Sequence, residues 1–177
     1  MVDHTLLYDS IKNTFLEAGT MQINNLEEER AYAIELLLRK CPGEEQKLVE
    51  RFFSHFKREA YNSGDILWRQ GTASNCAKLL VTGELIATLE NEAGTQEAIT
   101  IGSVIGESGL VSNNNRNSTV IVLADTVVYS LSRESWEEIK EKDPRTAQIL
   151  YGVVVRYLTL RVQHVSNRIF ETRCLPV

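Results

Sequence analysis

From Gly102 the chain reads Gly-Ser-Val-Ile-Gly-Glu-Ser-Gly-Leu, ending at Leu110, and then runs through Val111 to Arg116-Asn117-Ser118-Thr119-Val120, so that small residues crowd around one acid and one base. Gly106 and Gly109 permit backbone conformations that bring N–H groups close to a bound group, and a short helix starting near Ser108 would aim its first N–H groups at an anion. Arg116 would complete such a site, because a guanidinium presents a planar fork of donors. Between Lys78 and Arg116 there is no basic residue, while Glu84, Glu90, Glu92, Glu97 and Glu107 are acidic. A lone guanidinium in that setting needs a partner. The residues alone leave two open: an anionic ligand, or a carboxylate such as Glu107 that fixes the loop.

Other chemistries find no support in the sequence. Cys41, Cys76 and Cys174 are odd in number and widely spaced, which suits free thiols in a reducing compartment better than a disulfide frame or a zinc site. His4, His55 and His164 are equally scattered, so no metal cluster is expected. All three lie outside the predicted strands, which argues against a metal-dependent catalytic jelly roll. No Ser-His-Asp or Cys-His arrangement is legible, and the chain is expected not to be an enzyme. Lys and Arg number 19 against 24 Asp and Glu, a net charge of −5, which disfavours a binder of phosphate backbones. Nucleic acid is not an expected partner. No apolar run approaches the roughly 18–20 residues that span a bilayer, and the N-terminus has no secretory pattern, so a cytoplasmic location is expected.

The elements that must position Gly106 and Arg116 follow from periodicity over the 177 residues. Residues 1–56 repeat apolar positions at helical steps: Leu6, Leu7, Ile11 and Phe15, then Ala31, Ile34, Leu37, Leu38 and Cys41, then Leu48, Phe52 and Phe56. Three short helices are predicted, with Gly19 closing the first, Asn25 capping the second, and Pro42-Gly43 separating the second from the third. Residues 57–132 hold seven of the ten glycines and switch to short β-rich runs. Eight strands are predicted: Glu59–Tyr61, Ile66–Trp68, Lys78–Thr82, Leu85–Glu90, Glu97–Ile101, Val104–Ile105, Ser118–Leu123 and Thr126–Leu131. The expected fold is mainly β with flanking α, an eight-stranded antiparallel jelly-roll barrel between N-terminal helices and a long C-terminal helix.

That last helix follows Asp143-Pro144, a cap and first-turn pair. Its apolar stripe runs through Tyr151, Val154, Leu158, Val162, Val165 and Ile169, widened near the start by Leu150, Val153 and Tyr157. It is expected to pack on the barrel early and to offer a narrower face elsewhere later.

The order Gly64-Asp65-Ile66, Gln70-Gly71, Val81-Thr82-Gly83, Gly102 to Glu107 and Arg116-Asn117-Ser118-Thr119 resembles the cyclic nucleotide-binding domain over about residues 43–170. The ten positions from Gly106 to Arg116 are those of that family's phosphate-binding cassette. The resemblance implies a jelly roll holding cAMP or cGMP through Gly106, Glu107, Ser108, Gly109, Leu110, Arg116, Asn117 and Ser118. Glu107 would accept a hydrogen bond from the ribose 2′-hydroxyl, and Arg116 would pair with the cyclic phosphate. Asn117 stands where many members have Ala or Ser and cGMP-selective ones often Thr, and Gly109 replaces a frequent alanine. The choice between cAMP and cGMP therefore stays open.

Gly106 to Leu110, Asp125 to Leu131, Asp143-Pro144 and the Arg161–Arg168 segment further resemble the cytosolic cyclic nucleotide-binding-like tail of SulP-type anion permeases. Those tails follow a sulfate transporter and anti-sigma antagonist (STAS) domain. That resemblance divides the chain into an N-terminal helical segment, 1–42, matching the end of a STAS domain, and a cyclic nucleotide-binding-like domain, 43–177. Its implied role is a cytosolic regulatory module of a transporter or other effector, itself outside the membrane. Many proteins of this fold are transcription factors with a winged helix, and the seven residues Glu171–Val177 are too few for one. The expected function is a regulatory module that senses a cyclic nucleotide, needs no cofactor and signals through its C-terminal helix, with homo-oligomers among its partners. The alternative is a ligand-free scaffold for protein–protein interaction.

Overall fold

The structure, a computed structural model, describes residues 25–89 and 96–173. The expected helix at Leu6–Gly19 lies outside them. The chain divides into two compact units, Met1–Arg30 and Ala31–Val177. Of the first, residues 25–30 are described, and they open helix α1 (Leu26–Lys40). Asn25 caps it, its Oδ1 accepting from the Glu28 N–H at 2.9 Å. Glu27, Glu28 and Glu29 in the first turn and Arg39 and Lys40 in the last match the helix dipole.

In the second unit, α2 (Gln46–Phe53) buries Leu48, Val49, Phe52 and Phe53. The strands are β1 (Lys57–Tyr61), β2 (Ile66–Trp68), β3 (Cys76–Thr88), β4 (Gln96–Ile99), β5 (Val104–Ile105) and β6 (Thr119–Ser132). Helix α3 (Glu107–Ser112) lies between β5 and β6, and α4 (Arg133–Lys142) and α5 (Pro144–Arg173) follow. All strand pairs are antiparallel, in the order β1-β6-β3-β4, with β2 added to β6 and β5 to β3.

The described residues thus hold six strands where eight are expected, and a closed barrel is not established by their pairing. Two expected breaks are bends inside long strands. Lys78–Thr82 and the run from Leu85 belong to one strand, as do Ser118–Leu123 and Thr126–Leu131, which merge without Ser118 into Thr119–Ser132. The β3–β6 ladder continues from Cys76↔Ser132 to Thr88↔Thr119 and absorbs the Gly83 corner as register shifts between Leu80 and Leu85. A bulge of this kind bends a strand without ending it.

The period-2 alternation of β3 separates two cores. Ala77, Leu79 and Val81 face the helices, packing in one cluster with Leu37, Phe52, Phe53, Trp136 and Ile149. Leu80 faces the other way, with Leu85, Val120, Val122 and Val128. Lys78 shares that second side by alternation and is 5% exposed. Its ammonium pairs with Glu59 and donates to Ser130 Oγ at 3.3 Å. Tyr61 O–H donates to the same Glu59 oxygen.

Burial alone would raise the Glu59 carboxyl, but the hydrogen bonds from Lys78 and Tyr61, with the Lys78 charge, hold it below its ordinary 4.5. A depressed folded-state value means stability that is present above the ordinary value and lost as the pH falls through the folded one. The urea midpoint of the wild-type protein is therefore expected to fall more between about pH 5 and pH 3 than that of Glu59→Gln. Parallel curves for the two proteins would show the pair to be uncoupled from folding.

Asp143 opens α5 as expected, accepting from Thr146 N–H at 3.3 Å and Thr146 Oγ1–H at 2.6 Å and pairing with Arg51 at 2.9 Å. Early in α5, Ile149, Leu150 and Val153 are buried, whereas Tyr151, Val155, Leu158 and Val162 are exposed. The helix packs early through Leu150 and Val153, whereas Tyr151, expected to head the packed stripe, is exposed. Among the described residues, no helix is long and apolar enough to cross a membrane, and no group of three His, Cys, Asp or Glu could hold a metal.

Candidate functional site

Three tight backbone features build the site. Strand β5 ends at Gly106, whose φ of +75° turns the chain into α3. A side chain there would overlap the Arg116 guanidinium and come within 3.0 Å of the Cys76 carbonyl oxygen. Gly109 is equally confined, since a Cβ would overlap the Ser74 side chain. Helix α3 ends at Asn113, φ +61°, and the chain returns toward β6 past Arg116. The Arg116 backbone is clamped on both sides, its N–H donating to Thr72 O at 2.8 Å and its carbonyl accepting from Gly71 N–H at 2.9 Å.

This clamp directs the Arg116 side chain inward, and the residue is 5% exposed. Its Nη2 donates to Cys76 Sγ at 3.1 Å, and its Nη1 reaches Gly106 O at 3.4 Å. The guanidinium carbon stands 3.8 Å from the centre of the Trp68 ring. Nε is buried and has no hydrogen-bond partner. Among the described residues Arg116 forms no ion pair. Burial pulls the guanidinium below its ordinary value, while Cys76 and Glu107 act in the opposite sense. Of the two partners that the sequence left open for Arg116, a close Glu107 carboxylate is not the one in place.

Glu107 begins α3 and lines a cleft of about 30 Å³ with Lys40, Val153, Val154, Arg156 and Tyr157. Ser108 takes part in α3 through its carbonyl, which accepts from Ser112 Oγ–H at 2.6 Å. Leu110 is 3% exposed and packs into the helix-side core, so its side chain anchors α3. Asn117 is exposed beside Arg116, and Ser118 is half-buried at the start of β6.

Four neighbours escaped the sequence reading: Trp68, Ser74, Cys76 and Arg133. Arg133 joins the pieces by donating to Ser74 O at 2.7 Å and to Gly109 O. A register between β3 and α3 would have been needed to find them, and no local spacing encodes one.

The structure thus brings Gly106, Cys76 and Trp68 together around a buried Arg116. Residues 58–143 match the model of the family described as the cyclic nucleotide-binding domain. That segment, a little under half of the chain, is similar to this family and contains the whole stretch from Gly106 to Arg116. The chain is also similar to the cyclic AMP receptor protein of Thermus thermophilus, at 23% identity over 113 residues, 62% of this chain. It spans about half, 52%, of that relative's length.

Among solved structures, a cyclic nucleotide-binding domain from Methylobacillus flagellatus superposes with a TM-score of 0.71 at 18% identity, covering 84% of this chain and 85% of that one. The cAMP-bound PfPKA-R superposes with a TM-score of 0.56 at 23% identity, covering 66% of this chain and 43% of that one. These likenesses establish an antiparallel β fold with helices on both sides in sequence. None of the three is a permease tail, and the resemblance to SulP tails and their STAS domains gains no support from them.

Proposed function

We propose that the domain is a non-enzymatic regulatory module that binds cAMP or cGMP through Arg116 and Glu107 and transmits binding through α5. The observation that carries this reading is Arg116: a buried guanidinium with no ion pair among the described residues and an unpartnered Nε. An uncompensated buried charge is costly, so a ligand phosphate supplies what the protein does not. Backbone N–H groups around Gly109 and Asn117 add donors, and Glu107 takes the ribose 2′-hydroxyl. The cleft shared by Glu107 with Val153, Val154, Arg156 and Tyr157 is far too small for a nucleotide. It is a seam, through which a change at the acid reaches α5. The exposed Tyr151, Val155, Leu158 and Val162 beyond it then present the output to an effector or a second copy of the chain.

Calorimetric titration with cAMP and cGMP tests the ligand, and amide exchange of residues 150–159 in the same samples tests the output. At least one nucleotide is expected to bind and to change that exchange, because a ligand shifts only an element that it contacts differently in two states. Absence of heat with either nucleotide up to about 1 mM would sink the reading in favour of a ligand-free scaffold.

A further inference from the structure

The partners of Arg116 differ from those that normally immobilise a buried arginine. Five N–H donors are available to a guanidinium, and carboxylate oxygens satisfy them best. Here Nη2 meets a thiol, a weak acceptor, at 3.1 Å, and the contact from Nη1 to Gly106 O, at 3.4 Å, is long for a hydrogen bond. The π face of Trp68 holds the guanidinium carbon at 3.8 Å from the ring centre. None of the three carries a full negative charge. The arginine is therefore held in one place by groups that leave its charge unneutralised.

We infer that Cys76 and Trp68 are positioning residues of the anion site. The Cys76 thiol is a placeholder on Nη2 that a phosphodiester displaces, and the Trp68 ring fixes the plane in which the guanidinium waits. The identity of the anion rests on the cyclic-nucleotide reading, whereas the cradle itself does not. A carboxylate at position 76 would pair with Arg116 permanently and force an incoming anion to compete. A thiol or hydroxyl does not.

The experiment uses the full chain. Cys76→Asp is expected to bind cAMP or cGMP at least roughly tenfold more weakly than wild type, with Cys76→Ser within about threefold. Saturating nucleotide is expected to change the tryptophan emission of the wild type, and Trp68→Phe, which keeps a ring under Arg116, is expected to lose that change while still binding. A folded Cys76→Asp protein that binds like wild type would overturn the inference. So would a wild-type emission that does not respond to bound nucleotide, and this arm decides alone if Cys76→Asp does not fold.

Inorganic phosphate separates the two readings. An emission response to phosphate that disappears in Trp68→Phe and in Cys76→Asp, in a protein that binds neither nucleotide, supports the cradle and sinks only the nucleotide assignment. No response to phosphate or to nucleotide overturns the cradle.

Discussion

Arg116→Ala is expected to weaken cyclic-nucleotide binding by at least roughly tenfold, since charge-assisted hydrogen bonds to a phosphate contribute about 1.5–3 kcal/mol each. The unliganded protein should barely register the change. The substitution removes the Trp68 contact and the thiol contact, but it also removes a buried charge that forms no ion pair among the described residues, so the net shift in unfolding free energy is expected to stay within about 1 kcal/mol. A buried Arg116–Glu107 pair would behave differently, because its loss would strand a carboxylate at a cost of about 3–5 kcal/mol. Titration calorimetry and urea unfolding of the same variant separate the two cases. A large loss of apo stability with unchanged affinity would make Arg116 a structural arginine.

A second large effect comes from Gly106, and Gly64 provides its control. Both glycines have left-handed φ angles, +75° and +92°. An alanine at either therefore carries backbone strain of about 1–2 kcal/mol. They differ in what the new methyl group meets. At Gly64 it enters open space, and at Gly106 it overlaps the end of the Arg116 side chain. The arginine is the softer partner, so it is the guanidinium that moves. Gly106→Ala is expected to lose nucleotide affinity to nearly the extent of Arg116→Ala, whereas Gly64→Ala keeps wild-type affinity. Both should show similar losses in urea midpoint. Equal affinities for the two variants would show that the guanidinium need not occupy its observed position in order to bind.

Much of this was legible in the sequence because its signals are local. Asn25 and Asp143 announce helix starts by side-chain type alone, and β2 and β5 appear with the bounds expected from their short apolar runs. The Gly106–Arg116 stretch stood out because one acid and one base lie only nine positions apart in the chain among small residues. Strand count was misjudged where a turn residue sits in mid-strand: Gly83 and Asp125 are ordinary strand terminators by composition, and only the partner strand decides that the ladder runs through them. The cradle of Arg116 was invisible for a related reason. Cys76 lies 40 positions from Arg116, and nothing in the type of either residue announces the other.

The β3–β6 ladder has a further consequence, for the order in which the molecule can assemble. Its partners are 31 positions apart at Thr88↔Thr119 and 56 apart at Cys76↔Ser132, and the partners of β1 in the same strand are farther still, 65 apart at Tyr61↔Thr126 and 73 at Lys57↔Ser130. A growing polypeptide therefore carries β1 through β5, including the apolar Leu79-Leu80-Val81 run, before the strand that organises them has been synthesised. Non-local pairing of this kind makes closure slow, because the loop entropy is lost before any contact rewards it. Until β6 arrives, β3 is an unprotected edge with a taste for other strands. The same pairing that later holds Cys76 within reach of Arg116 leaves the β6-facing edge of β3 uncovered in the nascent chain until β6 has been made.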